Sequence, residues 1–90
     1  MGGGTGGIET FLPGSLGELY LEKYQTTGRL EYVERAAEIY EELRDKKKLV
    51  EIAGIYLREH WYDPAIRLYR KAGRKKIAKA ITEILKISKS

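Results

Sequence analysis

Apolar residues recur along this chain at the spacing of one helix face, with polar residues between them. The spacing of i, i+3, i+4 and i+7 extends from Leu16 to Leu85, interrupted only by short polar or glycine-containing segments. The chain is therefore predicted to be all-α, an array of about five helices paired as antiparallel hairpins. The predicted helices cover residues 15–24, 30–44, 47–60, 64–72 and 75–87.

Local signals mark several of the predicted helix ends. Ser15-Leu16-Gly17-Glu18 has the form of a capping box, in which the serine hydroxyl accepts from a helical N–H and the glutamate reaches back. Asp63-Pro64 places an N-cap residue before a proline at the first helical position. Gly28 and Gly73 follow the first and fourth helices, where glycine commonly ends a helix.

The most regular stretch has the pattern of a helical hairpin. Small residues on both of its helices let the backbones approach, and tyrosines fill the groove between them. The predicted inward residues are Leu49, Ile52, Ala53, Tyr56 and Leu57 on the third helix and Ala65, Tyr69 and Ala72 on the fourth. Parts of this spacing recur at Leu16, Gly17 and Tyr20 and along the stripe of Val33, Ala36, Ala37, Tyr40 and Leu43.

This spacing resembles the tetratricopeptide (TPR) repeat. Leu49 stands in the tryptophan position, Ile52-Ala53 in the leucine–glycine position and Tyr69 in the phenylalanine position. The resemblance covers residues 16–85 and is specific over residues 49–72. Because the connection inside the first hairpin is longer and those between hairpins are shorter than in the family, the expectation is a TPR-like array rather than a regular superhelix.

The resemblance implies a non-catalytic protein–protein interaction module. In such arrays a peptide or partner helix binds to the concave face, which the first helix of each hairpin lines. In this chain those faces would present Glu18, Lys23, Glu51, Ile55 and Arg58.

The two ends of the predicted array differ. The fifth helix is expected to bury an apolar stripe and to expose charged residues that cap the array. The residues of that stripe are Ile77, Ala80, Ile81, Ile84 and Leu85, and the charged residues opposite are Lys75, Lys76, Lys79, Glu83 and Lys86. At the other end Ile8, Phe11 and Leu12 have no predicted helix to cover them, which predicts self-association through this segment.

Composition narrows the class of protein. Residues 1–13 form a glycine-rich leader and a short apolar approach, and residues 14–90 are predicted to be one helical domain. No run of eighteen apolar residues occurs, no signal-peptide pattern is present, and cysteine is absent, so a soluble cytoplasmic protein is expected. The absence of asparagine and the abundance of Lys and Glu are typical of thermophilic proteins.

Catalytic and metal-binding patterns are missing from the sequence. The glycine-rich leader lacks the Gly-Lys-Ser/Thr ending of a phosphate loop. His60 is the single histidine and has no second histidine or cysteine to complete a metal site, so it is interpreted as a residue placed favourably at a helix C-terminus. No enzyme, cofactor or metal is therefore predicted.

Charge is distributed unevenly. Residues 1–45 carry a balance of −5 and residues 63–90 a balance of +7, within a net charge of +4. The basic end is either an ordinary solvated exterior or an anion surface for nucleic acid, the alternative function. Its members are Arg67, Arg70, Lys71, Arg74, Lys75, Lys76 and Lys79.

Some aromatic residues have no assigned place in the predicted core and are candidates for an exposed aromatic surface. These are Tyr24, Tyr32, Trp61 and Tyr62. Packing in the loop is nevertheless the expected position of Trp61, because large aromatic side chains are usually mostly buried.

Overall fold

The computed structural model describes residues 13–89 of the chain, and these are helical apart from short connections, with no strand among them. The five helices are α1 (Pro13–Thr27), α2 (Leu30–Leu43), α3 (Lys46–Arg58), α4 (Tyr62–Lys71) and α5 (Lys75–Lys89). The predicted all-α fold of helical hairpins is confirmed. The predicted leader lies outside the described residues except for Pro13, at which α1 begins.

The chain divides into two compact units, Met1–Leu43 and Arg44–Ser90. In the first unit α1 packs against α2. The helices approach closely at Gly17, where an added Cβ would lie 2.7 Å from two carbons of the Tyr40 ring. The buried Tyr40 hydroxyl donates to the Gly14 carbonyl across the same crossing, with an oxygen–oxygen distance of 3.0 Å. A residue without a side chain at position 17 therefore permits this hairpin.

In the second unit α3 packs against α4, and α4 packs against α5. The residues predicted as the α3 and α4 stripes form its core, together with Leu68 from α4 and two residues from α5. The buried residues are Leu49, Ile52, Ala53, Tyr56, Ala65, Leu68, Tyr69, Ala72, Ala78 and Ile81. Leu57 is half-buried.

The predicted stripe of α2 is confirmed except at its end. Val33, Ala36, Ala37 and Tyr40 are buried, whereas Leu43 is exposed. Leu43 is the last residue of α2, and no further turn of this helix covers its side chain.

Two predicted helix starts are wrong. α1 begins at Pro13, so Ser15 lies inside the helix and does not cap it. Proline suits the first helical position because it has no N–H that would lack a partner there. α4 begins at Tyr62 with Trp61 as its N-cap, which places Asp63 and Pro64 in the first turn. The N–H groups of a first turn have no partner inside the helix, so Pro64 is tolerated at that position.

Other helix ends follow local chemistry. The Asp45 carboxylate caps α3 by accepting from the backbone N–H of Lys48 at 3.2 Å, a cap that was not predicted. Gly28 and Gly73 follow α1 and α4 with φ values of 73° and 79°, as their positions predicted. Arg44 and His60 follow α2 and α3 with positive φ as well, although neither is glycine.

Candidate interaction surface

The helix α5 uses only part of its apolar surface to pack against α4. Ala78 and Ile81 are buried and Leu85 is half-buried. These three positions share one face of the helix because they are separated by three, four and seven residues.

A second apolar face of α5 is exposed. Ile77 is 41% exposed, Ile84 61% and Ile87 73%, and Ala80 is exposed as well. The predicted burial of Ile77, Ala80 and Ile84 is therefore wrong. At 100° per residue this face is centred about 120° from the buried one, so packing against α4 does not cover it. We call Ile77, Ala80, Ile84 and Ile87 the α5 stripe.

The α5 stripe has the spacing of a coiled-coil seam. Its residues follow one another at intervals of three, four and three, which are the a and d positions of a heptad. Polar residues border one side, where Lys76 and Glu83 take the g positions and are exposed. On the other side the e positions are Ile81, which belongs to the core, and Ser88. The predicted polar cap of this helix therefore occupies only one of its two solvent-facing arcs.

Basic side chains of α4 and α5 line two adjoining grooves. One has a volume of about 370 Å³ and is lined by Asp63, Ile66, Arg67, Arg70, Thr82, Leu85 and Lys86. The other has a volume of about 460 Å³ and is lined by Arg70, Lys75, Lys79, Thr82, Glu83 and Lys86. The acidic Asp63 and Glu83 reduce the positive charge of these grooves.

The predicted polyanion-binding residues divide between the grooves and the open surface. Arg67, Arg70, Lys75 and Lys79 line the grooves. The remaining three, Lys71, Arg74 and Lys76, are exposed and do not line either groove. Lys86 lines both grooves although it was not in the predicted set, and its position three helical turns along α5 from Lys75 could have indicated it.

The predicted peptide-binding residues lie in both units. Glu18 and Lys23 are exposed on α1 of the first unit. In the second unit Glu51 and Arg58 are exposed and Ile55 is half-buried, and all three share one face of α3. Glu51 also pairs with Lys48 at a nitrogen–oxygen distance of 3.5 Å.

Aromatic residues cluster where α3 meets α4. Trp61 is 41% exposed rather than packed away as expected, although its ring is stacked on Tyr56 with centroids 5.9 Å apart. As the N-cap of α4, Trp61 lies in the turn, outside both helical faces. His60 tilts against Tyr62 at a centroid distance of 5.9 Å. Of the tyrosines predicted to pack, Tyr40, Tyr56 and Tyr69 are buried and Tyr20 is half-buried.

Metal-binding clusters and membrane spans are both absent from the described part of the chain. Residues 13–89 hold no group of three or more His, Cys, Asp or Glu side chains that could bind a metal ion. None of the helices in this range is long and apolar enough to span a membrane.

No protein-family model matches this chain, and neither a curated protein nor a solved structure matches it. The interaction surface is therefore interpreted from its own chemistry.

Proposed function

We propose that this chain is a non-catalytic protein-interaction module that binds an α-helix of a partner along the α5 stripe. The observation that carries the proposal is the exposure of Ile77, Ile84 and Ile87 on one face of a helix. Neighbouring exposed apolar side chains in a charge-rich protein are characteristic of binding surfaces, because leaving them in water costs free energy that association recovers.

The shape and charge of the α5 stripe define the partner. The stripe is straight and about 15 Å long at 1.5 Å per residue, which matches an amphipathic helix with apolar residues at heptad spacing. Lys76, Lys79 and Lys86 lie on the solvent-facing side beyond it. Acidic residues beside the partner's apolar stripe would complement this charge and increase the rate of association.

The TPR resemblance supports the same class of function at a different place. It assigns peptide binding to the faces of α1 and α3 that present Glu18, Lys23, Glu51, Ile55 and Arg58. The two binding surfaces can be told apart by mutation. A substitution in the α5 stripe should weaken binding if the partner binds there, and should leave binding unchanged if the partner binds the faces that the TPR resemblance implies.

A labelled synthetic helix tests the proposal. The probe is an amphipathic peptide with isoleucine at its a and d positions and glutamate beside them, titrated in fluorescence anisotropy. We expect Ile84→Lys to weaken binding by about tenfold or more, a difference of about 1.4 kcal/mol. Leu19→Lys is the matched control, because Leu19 is 44% exposed and lies on α1.

A second peptide separates apolar recognition from charge attraction. It has the same composition with the heptad spacing scrambled. Equal binding of the two peptides, or equal binding by Ile84→Lys and the parent, would exclude the α5 stripe as the binding surface.

Nucleic-acid binding is a second candidate, favoured by the grooves between α4 and α5. Arg67, Arg70, Lys75, Lys79 and Lys86 converge there from two helices. Clustered Lys and Arg bind phosphates with release of counterions, so affinity would fall steeply with salt.

Single-stranded and duplex DNA at several salt concentrations test this candidate. Replacing Arg70, Lys75 and Lys79 by alanine should weaken binding alike for all sequences and lower the salt slope by about three. Replacing Arg29, Lys46 and Lys47 removes the same charge elsewhere and should change the slope less. A parent chain that binds neither nucleic acid at low salt would exclude this function.

We also propose a cytoplasmic location and a thermophilic source for this chain, and the composition supports both. A chain without cysteine is suited to the reducing cytoplasm, and one without asparagine and rich in Lys and Glu is suited to a thermophilic source.

A further inference from the structure

We infer that the nucleic acid bound by the grooves between α4 and α5 is single-stranded, and that one of its bases stacks on Trp61. The inference rests on the second function proposed above, because it requires these grooves to bind phosphates. It goes further by naming the kind of nucleic acid and the side chain that contacts a base. It does not depend on helix binding by the α5 stripe.

An aromatic pocket lies at the turn between α3 and α4. It has a volume of about 340 Å³ and is lined by His60, Trp61, Tyr62, Asp63, Pro64 and Leu85. The Trp61 ring is stacked on the buried Tyr56 with 4° between the ring planes, and 41% of Trp61 is nevertheless exposed. A large flat ring that is held from one side and open to solvent elsewhere suits a nucleobase, because every base has a π-face that can stack on it.

The aromatic pocket continues into the two basic grooves. Asp63 and Leu85 line both the pocket and the first groove, and Arg70 and Lys86 line both grooves. Because consecutive cavities share lining residues, they form one track along α4 and α5, with aromatic rings at one end and cationic side chains along the rest. From Trp61 to Arg70 the track follows α4 for about 14 Å at 1.5 Å per residue.

The cationic side chains of this track are arranged along two helix faces. Arg67 and Arg70 are three residues apart on α4, and Lys75, Lys79 and Lys86 follow one another at four and seven residues on α5. All five are exposed. Arg70, Lys75 and Lys79 make no ion pair within residues 13–89, so a phosphate need not displace a carboxylate to reach them. Phosphates that bind here would release counterions, which favours association at low salt.

Two carboxylates also line the track, and they restrict where phosphates can lie. Glu83 lines the second groove, and Asp63 lies where the aromatic pocket meets the first groove. A carboxylate repels a phosphate but accepts hydrogen bonds from the amino group of a base. Asp63 therefore favours a base rather than a phosphate at the aromatic end, next to Trp61.

A single strand fits this arrangement better than a duplex or an acidic peptide does. In a duplex the bases are paired and stacked on one another, whereas the bases of a single strand can turn outward and stack on an aromatic side chain. An acidic peptide supplies negative charge but no flat ring beside each charge. The juxtaposition of one exposed aromatic pocket with a row of cations matches the base and phosphate that a nucleotide joins.

The track and the α5 stripe lie on different sides of α5. At 100° per residue Lys75, Lys79 and Lys86 are centred about 110° from the buried face in one direction, and the stripe is centred about 120° from it in the other. A substitution in one surface therefore leaves the other intact, and the two can be tested separately.

Tryptophan fluorescence tests the stacking directly, because Trp61 is the single tryptophan of the chain. The probe is an unlabelled, mixed-sequence DNA strand of about twelve nucleotides without self-complementarity, a length within the site sizes of single-strand-binding modules. We expect it to quench the fluorescence at low salt and to bind more tightly than its duplex with the complementary strand. An abasic backbone of the same length should bind more weakly and leave the fluorescence unchanged. The RNA strand of the same sequence, titrated in parallel, shows whether RNA or DNA is preferred.

Substitution of Trp61 tests whether its ring contributes to affinity, measured by anisotropy with a labelled strand. Trp61→Leu should weaken binding of the single strand by about fivefold or more, and Trp61→Phe should restore most of the loss because it keeps a ring. The abasic backbone needs only the cationic side chains, so Trp61→Leu and the parent should bind it equally if the fold is intact. Tyr32→Leu is the matched control, because Tyr32 is also stacked, on Tyr20, but belongs to the first unit.

The outcomes separate this inference from the function on which it rests. Tighter binding of the duplex, equal binding of the strand and the abasic backbone, or full affinity in Trp61→Leu would overturn the inference and leave the grooves as a phosphate-binding surface. No binding of any nucleic acid at low salt would exclude both. A polyglutamate peptide that binds as tightly and quenches Trp61 equally would show an acidic peptide to be the ligand instead. Ile84→Gln alters only the α5 stripe and should bind the strand like the parent, and a loss of binding in this variant would contradict the proposed track.

Discussion

Two helices of the second unit, α3 and α5, carry similar apolar patterns with opposite outcomes. Each has four apolar residues at the spacing i, i+3, i+4 and i+7: Leu49, Ile52, Ala53 and Tyr56 in α3, and Ile77, Ala80, Ile81 and Ile84 in α5. In α3 all four are 2% exposed or less. In α5 only Ile81 is buried.

The difference shows that the spacing of apolar residues specifies a helix face but does not specify whether that face is buried. The period places side chains on one face of a helix, whereas burial depends on how many neighbours that face meets. α4 lies between α3 and α5 in sequence and packs against both. α5 turns Ala78, Ile81 and part of Leu85 toward the core and leaves the four residues of the α5 stripe exposed. Equivalent spacing therefore contributes to stability in α3 and is available for binding in α5.

The largest expected effect on stability comes from replacing the first residue of each apolar pattern by alanine. Leu49→Ala should lower the free energy of unfolding by about 2–5 kcal/mol, because it leaves a cavity in a packed core. Ile77→Ala should cost less than about 1 kcal/mol, since Ile77 is already 41% exposed. Urea denaturation followed by circular dichroism at dilute protein concentration measures both values. Equal losses for the two variants would mean that the α5 stripe is buried in solution.

A smaller effect is expected when a small residue in each pattern is enlarged. Ala53→Leu should destabilise the chain by about 1–3 kcal/mol, because Ala53 is fully buried and the added carbons must displace their neighbours. Ala80→Leu should change stability by no more than about 0.5 kcal/mol, because Ala80 is exposed. Thermal melts of the two variants provide the comparison, and Ala65→Leu, at another fully buried alanine, should behave like Ala53→Leu. A parent-like melting temperature for Ala53→Leu would contradict the tight packing of α3.

Much of the fold could be predicted from the sequence because its helices obey local rules. The buried stripes of α2, α3 and α4 follow from periodicity, and Gly28 and Gly73 mark helix ends through their conformational freedom. The starts of α1 and α4 could not be placed, because Pro13 and Pro64 are each compatible with more than one position in a first turn. Ser15 and Asp63 have side chains suited to capping, but the helices begin before them.

The candidate site was harder to predict than the fold. The charged residues of α4 and α5 were identified from composition, and four of the seven line the grooves. Ile77, Ala80 and Ile84 of the α5 stripe were misassigned to the core, because a sequence pattern cannot show how much of the α5 surface α4 covers. Lys76 and Glu83 were therefore interpreted as part of a polar cap, although they border an exposed apolar face. Tertiary packing decides between these interpretations, and it is encoded in contacts that are distant in sequence.

In the first hairpin Gly17 occupies the position that Ala53 has in α3. Gly17→Ala adds a methyl group 2.7 Å from the Tyr40 ring, which is buried and hydrogen-bonded to Gly14 and so cannot move aside cheaply. Overpacking costs about 1–3 kcal/mol, whereas alanine gains at most about 1 kcal/mol of helix propensity over glycine. We expect a net destabilisation of about 1 kcal/mol.

Gly54→Ala in α3 is the matched control, because no heavy atom lies within 4 Å of its added Cβ, and it should stabilise the chain by up to about 1 kcal/mol. Denaturation curves in which both variants gain stability would show that α1 and α2 are less closely packed at Gly17 than the structure indicates.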